Sequence, residues 1–287
     1  MNLKKLLIPV VFVLMFSFAV QAEEKKTHVT IIVGTHHYTP NKSMPLLKAE
    51  LERLGLEVAL INPEWNPEKD KRGIEGMEVL KDTDLAIFFI RFLKLEDPQL
   101  SLMMDYVKAG KPVVGLRTSN HGFNYPKDHP KAELNTSFGR DVLGTPYLIH
   151  LAGSTKLEII ESEKNHPILT GVSGKWKSPG TLYLSKPQEG VKPLVQGIGK
   201  ANPKRTGKVK NQFGTHDVKP VMTDNVAWTW TNKYGGKTFY ASLGHTGDFA
   251  VENSMRIIVN GIYWAAGLSV PSADTDIKTF KLKGKKK

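Results

Sequence analysis

"GKPVVGLRTSNHGFNYP", from Gly110 to Pro126, is an apolar run that stops in Gly115-Leu116-Arg117-Thr118-Ser119 and continues through Asn120 and His121 into a second glycine. It reads as a strand running into a sharp turn, the place where many α/β enzymes carry a nucleophile. Here an arginine stands at that turn. The neighbouring segments decide which fold the turn belongs to. "HVTIIVG" (His28 to Gly34) is a β-branched run ended by glycine, "LEVALI" (Leu56 to Ile61) a second strand, and "DLAIFFI" (Asp84 to Ile90) a third. The third is apolar throughout, as a parallel strand covered on both faces should be. "PVVGL" is the fourth. Thr39-Pro40 and Asp97-Pro98 each pair a capping residue with a proline suited to the first helical position. Met44, Leu47, Leu51 and Leu54 then mark one helical face, and Leu100, Met103, Met104 and Val107 another. The βαβαβαβ order predicts an α/β fold: a doubly wound, flavodoxin-like, mostly parallel sheet with helices on both faces and right-handed crossovers.

Past Phe123 the chain turns irregular and rich in Asn, Pro and Gly as far as Lys156. The short strand-like runs "KLEII", "TLYL", "KPLVQG", "NVAWTW" and "KTFYASLG" follow, to be added to the same sheet or packed beside it. Val251 to Gly267 has Met255, Ile258, Val259 and Ile262 at helical spacing and ends on a glycine suited to the position after a helix. At the other end, Lys4 and Lys5 precede an apolar run from Leu6 to Val20 and a small-x-Ala pattern, Val20-Gln21-Ala22. Residues 1–22 therefore read as a signal peptide, 23–270 as one α/β domain and 271–287 as a basic C-terminal tail. The expected destination is export to the periplasm or the medium, without stable membrane insertion, because no later apolar run is long enough to span a bilayer.

Composition removes several functions. There is no cysteine, hence no disulfide and no thiol nucleophile. The net charge of +12 falls to +10 without Lys4 and Lys5, and much of the surplus sits in the terminal lysines and in the stretch from Lys200 to Lys219. Those blocks read as a solvated tail and a mobile loop. They have almost no interleaved stacking aromatics, so no nucleic-acid partner is expected.

Ligands of doubly wound sheets sit beyond the carboxyl ends of the strands. Thr35, His36, His37 and Tyr38 follow the first strand, Arg91 and Phe92 the third, and Arg117 to His121 the fourth; His245 and Asp248 follow the late run "FYASLG". His129, His150, His166 and His216 stand at no strand end and read as structural. No H-x-x-x-H or H-E-x-x-H spacing occurs, so a divalent metal such as zinc would need ligands converging in space, beside a discouraging Arg117. No cofactor is expected.

Four segments carry a resemblance: "IIVGTHHY", "GKPVVGLRTSNHGF", "NHPILTGV" followed by "TLYL", and "NVAWTWTNKYGGKTFYASLGHTGDF" leading to "IIVNGIYWAAG". Over Val29 to Gly267 the chain resembles the ThuA-like, trehalose-utilisation family, whose fold is similar to that of class I glutamine amidotransferases. In amidotransferases the turn has the form Gly-x-Cys-x-Gly. Laid on this chain, the small flanks are Gly115 and Ser119 and the tip is Arg117. A permanently cationic guanidinium is a poor nucleophile or proton carrier, and with cysteine absent, covalent glutamine hydrolysis is excluded. Ser119 as a displaced nucleophile would put Arg117 and His121 where small residues normally sit. By the resemblance His245 falls at the place of the triad histidine, with Asp248 to orient it. Two readings of Arg117 stay open. It polarises a carbonyl or hydroxylate while His245 or His121 moves a proton, or it is structural and paired with a buried carboxylate such as Asp248. The resemblance implies a carbohydrate-related enzyme, a hydrolase, lyase or isomerase using non-covalent acid–base chemistry on a sugar or oxidised sugar. His245, His121 and Asp248 are its expected catalytic residues. Arg117, Ser119, Asn120, His36, His37, Tyr38 and Arg91 are expected to bind the carbohydrate or anionic sugar derivative. The alternative is a non-catalytic module that holds a sugar or small anion in the same pocket.

Overall fold

In the computed structural model, which describes residues 26–282, one nine-stranded sheet organises the chain. The N-terminal half contains β1 (His28–Gly34), α1 (Pro40–Arg53), β2 (Glu57–Ile61), β3 (Leu85–Ile90), α2 (Gln99–Lys108) and β4 (Val113–Leu116). After the one-turn α3 (Leu134–Ser137) come β5 (Ile149–His150), β6 (Ala152–Ile159), β7 (Lys175–Ser178), β8 (Tyr183–Leu184) and β9 (Lys192–Lys200). The hairpin β10 (Gly207–Asn211) and β11 (Gly214–Val218) precedes β12 (Val221–Thr231), β13 (Lys237–Ala241) and α4 (Glu252–Ala265).

The spatial order of the large sheet is β2-β1-β3-β4-β13-β12-β9-β6-β7. The first five strands are parallel throughout, and β13 joins beside β4 from far along the chain. From β12 outward every pairing is antiparallel. The expected parallel sheet is therefore one half of a mixed one. The five-residue connection from β12 to β13 is a hairpin turn, too short for the crossover a parallel pair requires. The expected helix between β2 and β3 is replaced by a 3-10 turn, Met77–Lys81. Pro63, Pro67, Gly73 and Gly76 interrupt that connection, and proline and glycine both oppose a continuous α-helix.

Successive residues of a strand point to opposite faces, so each parallel strand feeds two cores. Ile31 of β1 packs with Ile87, Val114, Leu47 and Leu51 of α1, and Ile258 and Ile262 of α4. Ile32, next along β1, packs with Phe88, Val113, and Met103 and Val107 of α2 on the other face. Among the described residues no helix is long and apolar enough to cross a membrane. The signal peptide expected at 1–22 and the lysines at 283–287 lie outside the described residues. The part of the expected tail that is described lies against the body. Phe280 stacks on Phe249 with ring centroids 5.1 Å apart, and Arg256 donates to the carbonyls of Ser272 and Thr275 at 3.2 and 2.6 Å. The basic stretch expected as a mobile loop folds into the β10–β11 hairpin, turned by Gln212 and Phe213.

α4 approaches the sheet closely at one glycine. A methyl group on Gly261 would lie 2.1 to 2.6 Å from the Phe239 ring of β13. Gly261→Ala is accordingly expected to destabilise the fold by about 1–3 kcal/mol, the usual cost of overpacking a core, measured by urea unfolding. An unchanged midpoint would mean that α4 can lift off β13.

Candidate functional site

Backbone strain marks one rim of the sheet. Among the described residues, four non-glycine residues have left-handed φ: Tyr38 at 67°, Thr39 at 58°, Phe92 at 50° and Arg117 at 49°. Each such conformation costs roughly 1–2 kcal/mol in a chain of L-residues. All four follow the carboxyl ends of β1, β3 and β4, where the sheet predicts a ligand. The turn after β4 is secured from below. Ser119 Oγ donates to the carbonyl oxygen of Phe88 (2.6 Å) or of Leu116 (2.8 Å), and Thr118 Oγ1 donates to that of Ile90 at 2.9 Å. Ser119 is fully buried in this role, which excludes it as a nucleophile.

Arg117 is not open to a ligand. It is 1 % exposed, and its Nη1 donates to the carbonyls of Ser242 (2.7 Å) and Thr181 (3.0 Å). Nη2 donates to Thr181 Oγ1 (3.1 Å) and to the Tyr38 hydroxyl (3.3 Å). The guanidinium carbon lies 4.3 Å from the Tyr183 ring centre and 4.7 Å from that of Tyr38, so the cation sits between two aromatic faces. Gly180 leaves the room, since a methyl group there would come within 3.0 Å of Arg117 Nη1. Both expectations for this residue need correcting. Arg117 touches no open space, and it forms no ion pair with Asp248. The Asp248 carboxylate is taken up by Ser178 Oγ (2.6 Å) and by the backbone N–H groups of Gly244 and His245 (both 2.9 Å). It fixes the loop and leaves the His245 imidazole unoriented; that ring accepts at Nδ1 from Gly247 N at 3.2 Å. His245 lies beside Tyr38, ring centres 5.3 Å apart, but does not line the cleft described next.

That cleft, about 230 Å³, lies at the small end of ligand-binding hollows. From the strand ends it takes His37, Tyr38, Arg91, Phe92 and His121. The antiparallel β5–β8 pair, with His150 opposite Tyr183, supplies two more walls, and Tyr147 a third. The β10–β11 hairpin contributes Phe213, and the turn ahead of it Arg205. Phe213 packs 5.1 Å from Tyr147 and 6.3 Å from His121, centre to centre, so the hairpin tip roofs the hollow. Among the described residues no aspartate or glutamate lines it.

His121 forms the floor. Its ring lies 4.2 Å from that of Tyr147, and its Nδ1 is 2.8 Å from Asn120 Oδ1. With the amide oxygen accepting, Nδ1 carries the proton and Nε2 is the basic nitrogen. Burial, then the nearby Arg91 and Arg117, hold the His121 pKa well below 6.5. Burial and Arg91 lower that of His37, with Glu68 opposing, and burial and Arg205 lower that of His150. The imidazoles are therefore neutral bases near neutral pH. Arg91 is ion-paired with Glu68 and lies 4.1 Å over the Phe92 ring. Arg205 is exposed and makes no ion pair among the described residues.

The structure thus brings together His37, Tyr38, Arg91 and His121, with Asn120 behind His121. It leaves out His36, whose ring nitrogen reaches the Pro63 carbonyl at 3.3 Å, together with Ser119, His245 and Asp248. Sequence reasoning missed Tyr147, His150, Tyr183, Arg205 and Phe213. For Phe213 a signal existed, because Lys208-Val209-Lys210 alternates polar and apolar residues ahead of Gly214. Among the described residues no three His, Asp or Glu side chains are grouped to hold a metal ion.

The sequence pattern of the ThuA family, described as trehalose utilisation, matches residues 28–265. A solved ThuA-like protein from Parabacteroides merdae is similar to this chain at 16% identity with a TM-score of 0.60, covering 89% of this chain and 95% of that one. A ThuA-like protein from Bacteroides uniformis is similar at 15% identity with a TM-score of 0.56, covering 83% and 91%. At these identities the two likenesses concern the fold. No curated protein matches the chain.

The buried neutral His121 makes stability depend on pH. Its folded pKa is depressed, so its contribution is complete above the ordinary imidazole value of 6.5. The contribution is lost as the pH falls below that value, where the unfolded chain takes up the proton first. Urea unfolding followed across this range should fall less steeply for His121→Gln than for the wild-type protein. Parallel slopes would mean that His121 is charged or solvated in the fold.

Proposed function

The chain belongs to the ThuA family, and we propose that it is an exported carbohydrate-related enzyme using non-covalent acid–base chemistry on a sugar or oxidised sugar. The observation that carries this reading is the convergence of strained strand-end residues, Tyr38 and Phe92, around His121 on the rim where such sheets bind ligands. His121, protonated on Nδ1 and basic on Nε2, is the group suited to proton transfer, a contribution of roughly two to four orders of magnitude in rate. Tyr147 and Phe213 offer apolar faces to a sugar ring. Arg91 and Arg205 take over the anion-holding role first expected of Arg117 and favour an anionic sugar derivative.

The lining also bears on reaction class. Glycoside hydrolysis of the common kind uses two carboxylates facing the scissile bond. With none in the cleft, proton transfers of an isomerase or lyase fit the lining better than hydrolysis. No metal ion or organic cofactor is needed for such steps. Export is read from the apolar N-terminal run and its Val20-Gln21-Ala22 ending. The order β2-β1-β3-β4, with α1 and α2 packed into opposite cores, supports the doubly wound, flavodoxin-like reading of the parallel half.

A second reading, a module that holds a sugar or small anion without turnover, is favoured by one observation. Arg205 is an exposed, unpaired cation at a cleft free of acidic groups, which suffices for binding alone. Thermal-shift measurements over neutral disaccharides, 3-keto-glycosides and sugar acids separate the two. The enzyme reading expects a stabilising sugar that is converted to product, with conversion cut at least about 100-fold in His121→Gln and binding retained. A stabilising sugar recovered unchanged supports the binding module. Stabilisation that survives both His121→Gln and Arg205→Ala would locate the ligand outside this cleft.

A further inference from the structure

We infer that Tyr38 takes the carbon-bound proton of the substrate in the cleft, its phenolate form favoured by Arg117, whose buried guanidinium serves as counter-cation. The inference rests on reading the cleft as a site of proton transfer and adds a second base beside His121 and the residue that prepares it. Its starting point is an imbalance of charge. Buried cations are normally paired with a carboxylate, because a lone charge in the interior loses several kcal/mol of hydration. Arg117 has no such partner among the described residues. Its donors meet two carbonyls, one threonine hydroxyl and one phenol, and Nε meets nothing. Asp248, the nearby acid, already accepts three hydrogen bonds of its own.

The acidic hydrogens that the guanidinium faces belong to Tyr38 and Tyr183, whose rings lie 4.7 and 4.3 Å away on its two sides. The two phenols are not equivalent. Tyr183 is buried, and burial drives its pKa upward, so it stays protonated and is a hydrogen-bond donor. Tyr38 is half-buried, lines the cleft, and takes the guanidinium N–H on its hydroxyl oxygen at 3.3 Å. Tyr183 acts on Tyr38 in the same direction. A guanidinium N–H aimed at one oxygen is a donor of the kind that stabilises an oxyanion. The other charged or titratable neighbours do not oppose it. Arg91 adds positive charge, while His37 and His245, with ring centres 4.2 and 5.3 Å from that of Tyr38, are held neutral by burial first. Burial raises the Tyr38 pKa, but Arg117's charge and hydrogen bond, together with Tyr183 and Arg91, bring it below the ordinary 10.0. The strained backbone then acquires a purpose. At φ 67°, Tyr38 is pinned by Thr246 Oγ1, which donates to its carbonyl at 2.8 Å.

In the step this permits, a C–H bond beside a sugar carbonyl breaks and its proton forms an O–H bond with the Tyr38 phenolate. The electron pair moves onto the carbonyl oxygen, giving an enediolate next to Arg91 and Arg205. Return of the same proton from Tyr38 to the former carbonyl carbon, while His121 Nε2 carries the remaining hydroxyl proton from one enediolate oxygen to the other, completes an isomerisation with nothing gained or lost.

The test is an ultraviolet titration of tyrosinate absorbance in the full chain without ligand. One tyrosine is expected to ionise below 10.0, and the step should be missing in Tyr38→Phe. Its midpoint should rise by a pH unit or more, about tenfold in ionisation constant, in Arg117→Met. Should Arg117→Met fail to fold, Tyr183→Phe keeps the ring, removes the hydroxyl donor and should raise the midpoint likewise. A wild-type protein with no such early step overturns the inference, as does a step that persists in Tyr38→Phe or is unmoved in both partner variants. Because no sugar is present, that result is independent of the sugar panel. Turnover without an early tyrosine would leave the enzyme reading standing and remove Tyr38 as its base.

Discussion

The geometry of the cleft depends on one enclosed cation. Arg117 sits at the strained end of β4 and bonds to the residue after β13, to Thr181 ahead of β8 and to Tyr38 beyond β1. Four separate parts of the chain are tied through a single guanidinium. A planar group with five donors in fixed directions suits this task; a lysine would reach fewer partners and lose the aromatic contacts. Enclosure has a physical consequence. The low-polarity surroundings that make an unpaired charge costly also strengthen its action on the phenol beside it. The same residue thus holds the walls in place and sets the electrostatics of the hollow above.

Above that cation the lining is of an uncommon kind. Neutral imidazoles, phenols and two arginines face a small space without any carboxylate. Such a set handles protons and negative charge but provides neither the nucleophile nor the acid pair of ordinary sugar hydrolysis. Part of the wall is supplied late in the chain. The β10–β11 hairpin brings its tip over His121, so Phe213, with Arg205 just ahead of β10, reaches a site whose floor was built some ninety residues earlier. A roof on a two-stranded ribbon is held by few contacts and can yield to an entering ligand more easily than the strand ends beneath it.

Much of this was legible in the sequence, and the remainder failed for identifiable reasons. The apolar runs of β1, β3 and β4 and the spacing of Leu47, Leu51, Met103 and Val107 follow from local periodicity, and with them the rim that carries His37, Tyr38, Arg91 and His121. Arg117 was placed correctly at its turn yet misjudged in its exposure. The carbonyls and rings that enclose it come from Thr181, Tyr183 and Ser242, whose proximity no local pattern encodes. His245 and Asp248 stand near each other in sequence, but the short loop spends the carboxylate on its own backbone. His150 carried no local mark at all, because its place depends on pairing with Tyr183. Lysine-rich composition concealed the strands β10 and β11, because a block of charge reads as a mobile loop.

The most direct measurement is a crystal structure with a sugar acid bound. The carboxylate should lie against Arg91 or Arg205, the sugar ring should lie between His121 and Phe213, and Arg117 should remain enclosed by Tyr38 and Tyr183 without touching the ligand. A sugar acid bonded directly to Arg117, or seated away from these walls while the cleft stays empty, would contradict the division between a buried cation that prepares the site and the surface groups that meet the substrate.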